Sequence, residues 1–179
     1  MHDVREEQTL LIAQKTRKNL AFIYAQKSDG KDVEEFTQLL NSMLGLVIGL
    51  REDYYKGSGF QWTEMRSLPS YRLELENITG NVLSPESPNL KQTNSFSQLI
   101  TKIRHSFAHN CYTLLVRNNE ERPSLILGVR LWNIPPNAEN DPKNRTWQAD
   151  IKEADLKDLA LLLLDYLEKE FASTQDGVG

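Results

Sequence analysis

The stretch Arg104-His105-Ser106-Phe107-Ala108-His109-Asn110 brings a permanent cation and two imidazoles to the end of one amphipathic run. Such side chains can break a phosphodiester without a metal. A near-neutral imidazole can take the proton of a 2′-hydroxyl, and a guanidinium can hold the phosphate bidentately while charge builds on it. On an ideal helix Arg104 and His109 stand about 140° apart, so spacing alone does not put them on one face. The reach of arginine and the fraying of a last turn would bring both to one phosphate beside the helix end. His109 is then the candidate general base and Arg104 the candidate phosphate ligand. His105, Ser106 and Asn110 are candidates for positioning the cleft, and Lys102, Arg117 and Arg130 for holding further phosphates.

Other chemistries compete for the same residues. His105 and His109 form a helical i, i+4 pair that can hold a transition metal, with Cys111 as a third ligand. A zinc-peptidase arrangement would need Glu after the first histidine, and Ser106 stands there. The preferred mechanism uses no metal and no cofactor, whereas the metal reading predicts loss of function with a chelator. Cys111 beside His109 also suggests a thiol nucleophile, although a small buried residue entering a strand explains it as well. Gly57-Ser58-Gly59 lacks the lysine of a phosphate loop and reads as a turn. Tyr54, Tyr55, Phe60 and Trp62, near Lys56 and Arg66, suit either base stacking or the pinning of an irregular segment to the core.

The elements that must position this motif are mostly helical. Asp3 to Lys27 contains neither Gly nor Pro and carries Glu6 and Glu7 near its start, which fits a helix ended by Ser28-Asp29-Gly30. A second helix is expected from about Asp32, its N-cap, with Val33, Phe36, Leu40, Met43, Leu44 and Val47 on one face. The short connection makes the two antiparallel neighbours. Residues 51–92 are broken by Gly57, Gly59, Pro69, Gly80, Pro85 and Pro88 and read as an irregular insertion. Ser95-Phe96-Ser97-Gln98 is a capping-box pattern opening a third helix that runs to about His109. Tyr112–Arg117 and Ser124–Trp132 form a β-hairpin within residues 111–133, and 133–147 is loop. A last helix covers about Lys152 to Phe171, with Leu156, Leu159, Ala160, Leu163, Tyr166 and Leu167 on one face. Leu161, Leu162 and Leu164 widen its apolar surface, which implies deep burial or a second copy. Residues 173–179 read as a flexible tail, so residues 1–172 make one domain.

Composition bounds the setting. At 179 residues with 39% hydrophobic and 26% charged side chains, the chain can bury a core and is not disordered. The one cysteine excludes a disulfide framework and a multi-thiolate zinc site within one chain. MHDVREEQT lacks the basic-then-apolar pattern of a secretory signal, and the apolar run Leu39–Leu50 is far short of the ~20 residues that span a bilayer. A cytoplasmic protein without a membrane partner is expected. The net charge of −4 speaks against a nucleic-acid ligand on average, yet residues 91–130 carry six basic and two acidic side chains. That polarity is compatible with a basic groove on an acidic body.

Arg104-x4-His109 near a helix end resembles the motif of the HEPN superfamily. The flanking pattern resembles a branch of small bacterial members, in which a helix like Phe36–Leu46 precedes an Ile-Arg-x4-His-Asn segment and a hairpin. The resemblance spans roughly residues 5–170 and is weakest over 51–92. It implies a mainly α fold, an up-and-down helical bundle with a short β-hairpin after the motif helix. It also implies a homodimer whose motifs line one cleft, acting as a metal-independent endoribonuclease that leaves 2′,3′-cyclic phosphates. The expected setting is toxin–antitoxin or antiviral defence, with RNA as substrate and an antitoxin protein as candidate partner. The alternative is a non-catalytic HEPN dimer that binds RNA or protein. Two departures stand out. His105 replaces the polar Asn or Asp that often succeeds the arginine, and Cys111 replaces the tyrosine that some HEPN toxins carry two residues after the histidine.

Overall fold

The computed structural model of the chain describes residues 4–49, 61–78, 90–119 and 122–172. Helix α1 (Val4–Ser28) runs the length expected from its uninterrupted sequence. Two residues past its end the turn passes through Gly30, whose φ of 74° suits a residue without a Cβ. Helix α2 (Glu35–Gly49) folds back against α1 and starts later than expected. Asp32 therefore lies outside the helix and is not its N-cap. Glu35 instead pairs with Lys27 at 3.1 Å, joining the start of α2 to the end of α1. Phe36, Leu39, Met43, Leu46 and Val47 are the buried side of α2.

The described part of the irregular region is not loose. Helix α3 (Trp62–Met65) and a 3-10 turn over Leu73–Asn77 send Trp62, Met65, Leu68 and Leu75 into the core. The Trp62 ring meets Phe96 edge-on at 5.2 Å. Trp62 is thus a packing residue, not a base-stacking platform. The remaining candidates for stacking, Tyr54, Tyr55 and Phe60, with the neighbouring Lys56 and the Gly57-Ser58-Gly59 turn, lie outside the described residues, as does the expected tail 173–179.

Helix α4 (Phe96–Ala108) carries the motif. Ser95 caps it by accepting from the Gln98 N–H at 3.2 Å, while the Gln98 side chain accepts from the Asn94 N–H at 2.9 Å. The box therefore closes one residue upstream of the usual reciprocal bond. Ser95→Ala should cost about 1 kcal/mol, read as a shift in urea midpoint at unchanged slope.

Strands β1 (Tyr112–Asn119) and β2 (Arg122–Asn133) form the expected hairpin, with a register shift between Leu115 and Val116. A third strand, β3 (Trp147–Lys152), was not expected from the sequence. It pairs antiparallel with β2 from Gly128↔Lys152 to Asn133↔Trp147, giving a three-stranded sheet in the order β1-β2-β3. The end of the segment read as loop is therefore sheet. Trp147, Ala149 and Ile151 point into the core, and the polar residues between them point out.

Helix α5 (Glu153–Ala172) comes directly after β3 and is the hub of the fold, touching α1, α2, β2, β3 and the 3-10 turn. Its leucines at 156, 159, 162, 163, 164 and 167 are all at 0% exposure. Leu161 is half-buried against the same core. The broad apolar surface is consumed inside the chain and creates no need for a second copy. Arg17 ties α1 to α5 through Asp165 at 2.7 Å and Glu168 at 2.9 Å. The result is the mainly α architecture expected, with the sheet larger by one strand. No helix among the described residues is long and apolar enough to cross a membrane.

Candidate functional site

The chemistry-bearing residues sit where α4 stops. His109 is the C-cap, and its N–H bonds back to the His105 carbonyl at 3.0 Å. Asn110 comes next at a φ of 54°, a left-handed conformation that asparagine tolerates better than most residues. The Asn110 N–H then reaches the Phe107 carbonyl at 3.1 Å and the Cys111 N–H the Ser106 carbonyl at 2.7 Å. This pair of bonds is a Schellman motif, which satisfies carbonyls that a helix end would otherwise leave open. Asn110 thus forms the turn that redirects the chain into β1.

Ser106 also has a structural task. It is fully buried, and its hydroxyl lies 2.9 Å from the Lys102 carbonyl and 2.8 Å from the Trp132 carbonyl. The Asn133 amide donates to the same hydroxyl at 2.7 Å. The Asn133 amide nitrogen also lies 3.0 Å from the Lys102 and Trp132 carbonyls. A serine on α4 and an asparagine on β2 thereby lock the motif helix to the sheet, in an interior where each lost partner is expensive. Ser106→Ala should destabilise the fold by about 1–3 kcal/mol in chemical denaturation, since it leaves buried polar groups short of a partner.

A cavity of about 680 Å³ opens between α4 and the loop after β2. One wall carries Lys102, His105 and His109, and the other Ile134, Pro135, Pro136, Asn137 and Ala138. Positions 102, 105 and 109 fall within about 60° of one another around the helix, which explains why they share a wall. The loop wall is held from behind. Arg145 stacks 4.6 Å from the Trp132 ring, Trp132 Nε1 donates to Asn140 at 2.8 Å, and the Thr146 N–H bonds the Asn133 carbonyl at 2.8 Å. Among the described residues, none that lines the cavity is acidic, so the site favours an anion. Burial, aided by repulsion from Lys91, holds the Lys102 ammonium below its ordinary pKa.

Cys111 also borders the cavity but is 2% exposed, with its thiol 3.5 Å from the His109 carbonyl. Burial pushes the thiol up and the Arg145 charge offsets this only partly. That is the state of an inert packing cysteine, not of a nucleophile. Among the described residues, no group of three or more His, Cys, Asp and Glu is arranged to hold a metal ion.

Three expected residues lie away from the cavity. Arg104 is half-buried and does not line it, because on a regular helix it stands about 140° from His109, with His105 between them. Arg117 is exposed on β1. Arg130 is held by its cross-strand partner Asp150 through contacts of 2.6 and 2.7 Å, so its charge is largely answered within the sheet. What the sequence reading missed is the Ile134–Ala138 wall, whose only outward sign was the Pro135-Pro136 pair.

Neither the curated proteins nor the solved structures include a match to the chain. A protein-family model does match, HEPN pEK499 p136, over residues 1–173. With nearly the whole chain covered, motif and bundle included, the protein belongs to this HEPN family.

Proposed function

We propose that the protein is a metal-independent endoribonuclease, acting in a toxin–antitoxin or antiviral defence setting. His109 carries the reading. It is exposed at the rim of a cavity whose described lining carries the Lys102 ammonium and no acidic side chain, at the family's motif position. In this mechanism the His109 imidazole removes the 2′-hydroxyl proton, the 2′-oxygen attacks phosphorus, and the 5′-oxygen departs, leaving a 2′,3′-cyclic phosphate. Lys102 holds a non-bridging oxygen. Arg104, half-buried on the flank of α4 that also carries the half-buried Thr101 and the exposed Ala108, would serve a second copy packed along that flank, giving a dimer with a composite cleft. Membership of a HEPN family supports a nuclease or RNA-binding role in general, and the cavity chemistry favours the former.

The deciding experiment is cleavage of end-labelled RNA by the purified protein in EDTA, with end-group analysis of the products and sedimentation to count subunits. Cyclic-phosphate ends in the presence of chelator are expected. A folded dimer that binds several RNAs and cuts none would instead establish the non-catalytic binding module, and activity abolished by EDTA would move the function to a metal site on His105 and His109.

A further inference from the structure

The position of His105 carries more than the sequence motif assigns to it. His105 lines the same cavity wall as His109, and the two ring centroids are 6.3 Å apart with the rings inclined at 72°. The rings are edge-to-face, not stacked, and a phosphate facing both can offer a different oxygen to each. Their relation is fixed by backbone, because the His109 N–H bonds the His105 carbonyl and the Schellman turn anchors Asn110 and Cys111 directly after them. Lys102, one turn earlier on the same wall, completes a triad of two imidazoles and an ammonium within one chain. Arg104 is outside it. A cavity of about 680 Å³ is of the size that encloses a nucleotide-sized ligand.

We infer that His105 is the general acid of the reaction, paired with His109 of the same subunit across one scissile phosphate. This rests on the ribonuclease reading and adds the residue that protonates the leaving group. Neutral His109 accepts the 2′-hydroxyl proton as the bond from 2′-oxygen to phosphorus forms. The bond from phosphorus to the 5′-oxygen breaks, and the His105 imidazolium gives its proton to that oxygen. His109 ends protonated and His105 neutral, and exchange with water restores both. Among the described residues, no carboxylate lines the cavity to compete for either role, and the buried Cys111 thiol is a poor donor to a surface-bound phosphate. Lys102 neutralises the charge that gathers on the non-bridging oxygens.

The test compares two short RNAs that differ at one atom, the ordinary substrate and one with sulfur in place of the 5′-bridging oxygen at the cleaved bond. A thiolate leaves without a proton. His105→Ala should slow cleavage of the ordinary RNA by about 10²-fold or more, yet cut the sulfur substrate within a few-fold of wild type. His109→Ala should lose both. If His105→Ala cuts ordinary RNA like wild type, or loses both substrates equally while folded by circular dichroism, the acid role is overturned. Wild type that cuts neither RNA would remove the ribonuclease reading itself, a separate outcome. Co-expressed His105→Ala and His109→Ala chains, purified as a mixed dimer, should stay inactive. Recovery of activity in that mixture would place the two imidazoles in different subunits and defeat the same-chain pairing.

Discussion

Replacing His109 with alanine is expected to slow RNA cleavage by about 10²- to 10⁴-fold, the usual worth of a positioned general base. In activation free energy that is about 2.7–5.4 kcal/mol. The loss should appear as chemistry, not unfolding, for structural reasons. The side chain is exposed at the cavity rim, and the cap it occupies is closed by the backbone groups of His105, Ser106, Phe107, Asn110 and Cys111. Alanine keeps every one of those bonds. A variant with the wild-type melting temperature and RNA affinity but a rate reduced less than tenfold would show that His109 is not the base. The measurement is single-turnover cleavage with saturating protein, which separates the chemical step from binding.

Gly128→Ala should produce the largest structural effect. A Cβ at this position would lie 2.2 Å from the Ile151 carbonyl oxygen and 2.8 Å from Lys152 Cα. Both are backbone atoms of β3, so no side chain can rotate to make room, and the β2–β3 ladder has to part where Gly128 pairs with Lys152. Overpacking of this kind costs about 3 kcal/mol, which for a domain of this size lowers the melting temperature by roughly 6–12 °C. Because Asn133 on the same strand locks α4 through Ser106, RNA cleavage should fall along with stability. An alanine variant that melts at the wild-type temperature would mean that β3 does not press on β2 as described.

How much the sequence made legible depends on how local each feature is. The cap at Ser95 and the apolar faces of α4 and α5 depend on neighbours within a few residues, and they were read close to their observed limits. The third strand was missed because Pro135-Pro136 and Asp141-Pro142 dominate the segment before it, and Trp147, Ala149 and Ile151 supply only three alternating positions before α5 begins. At the site, Lys102 was named only as a holder of further phosphate, and the structure sets it on the same wall as the two histidines. Ser106 was read as a candidate for positioning the cleft, and its lock onto β2 was not foreseen because its tertiary partners, Trp132 and Asn133, are 26 and 27 residues away in sequence. The separation of Arg104 from His109 was visible as an angle, but only the folded helix end shows that the last turn does not fray enough to close it.

The sealed thiol of Cys111 gives the molecule its own clock. Cys111 is the chain's one sulfhydryl, so a colourless disulfide reagent such as Ellman's compound reports a single event with no engineering. The reagent must wait for the junction between α4 and β1 to open, because Cys111 is 2% exposed in the closed state. When closing is fast, the labelling rate divided by that of a free thiol gives the opening equilibrium of that junction alone. A nucleotide bound against the cavity wall would stretch the waiting time, so occupancy could be timed in a cuvette on unlabelled RNA.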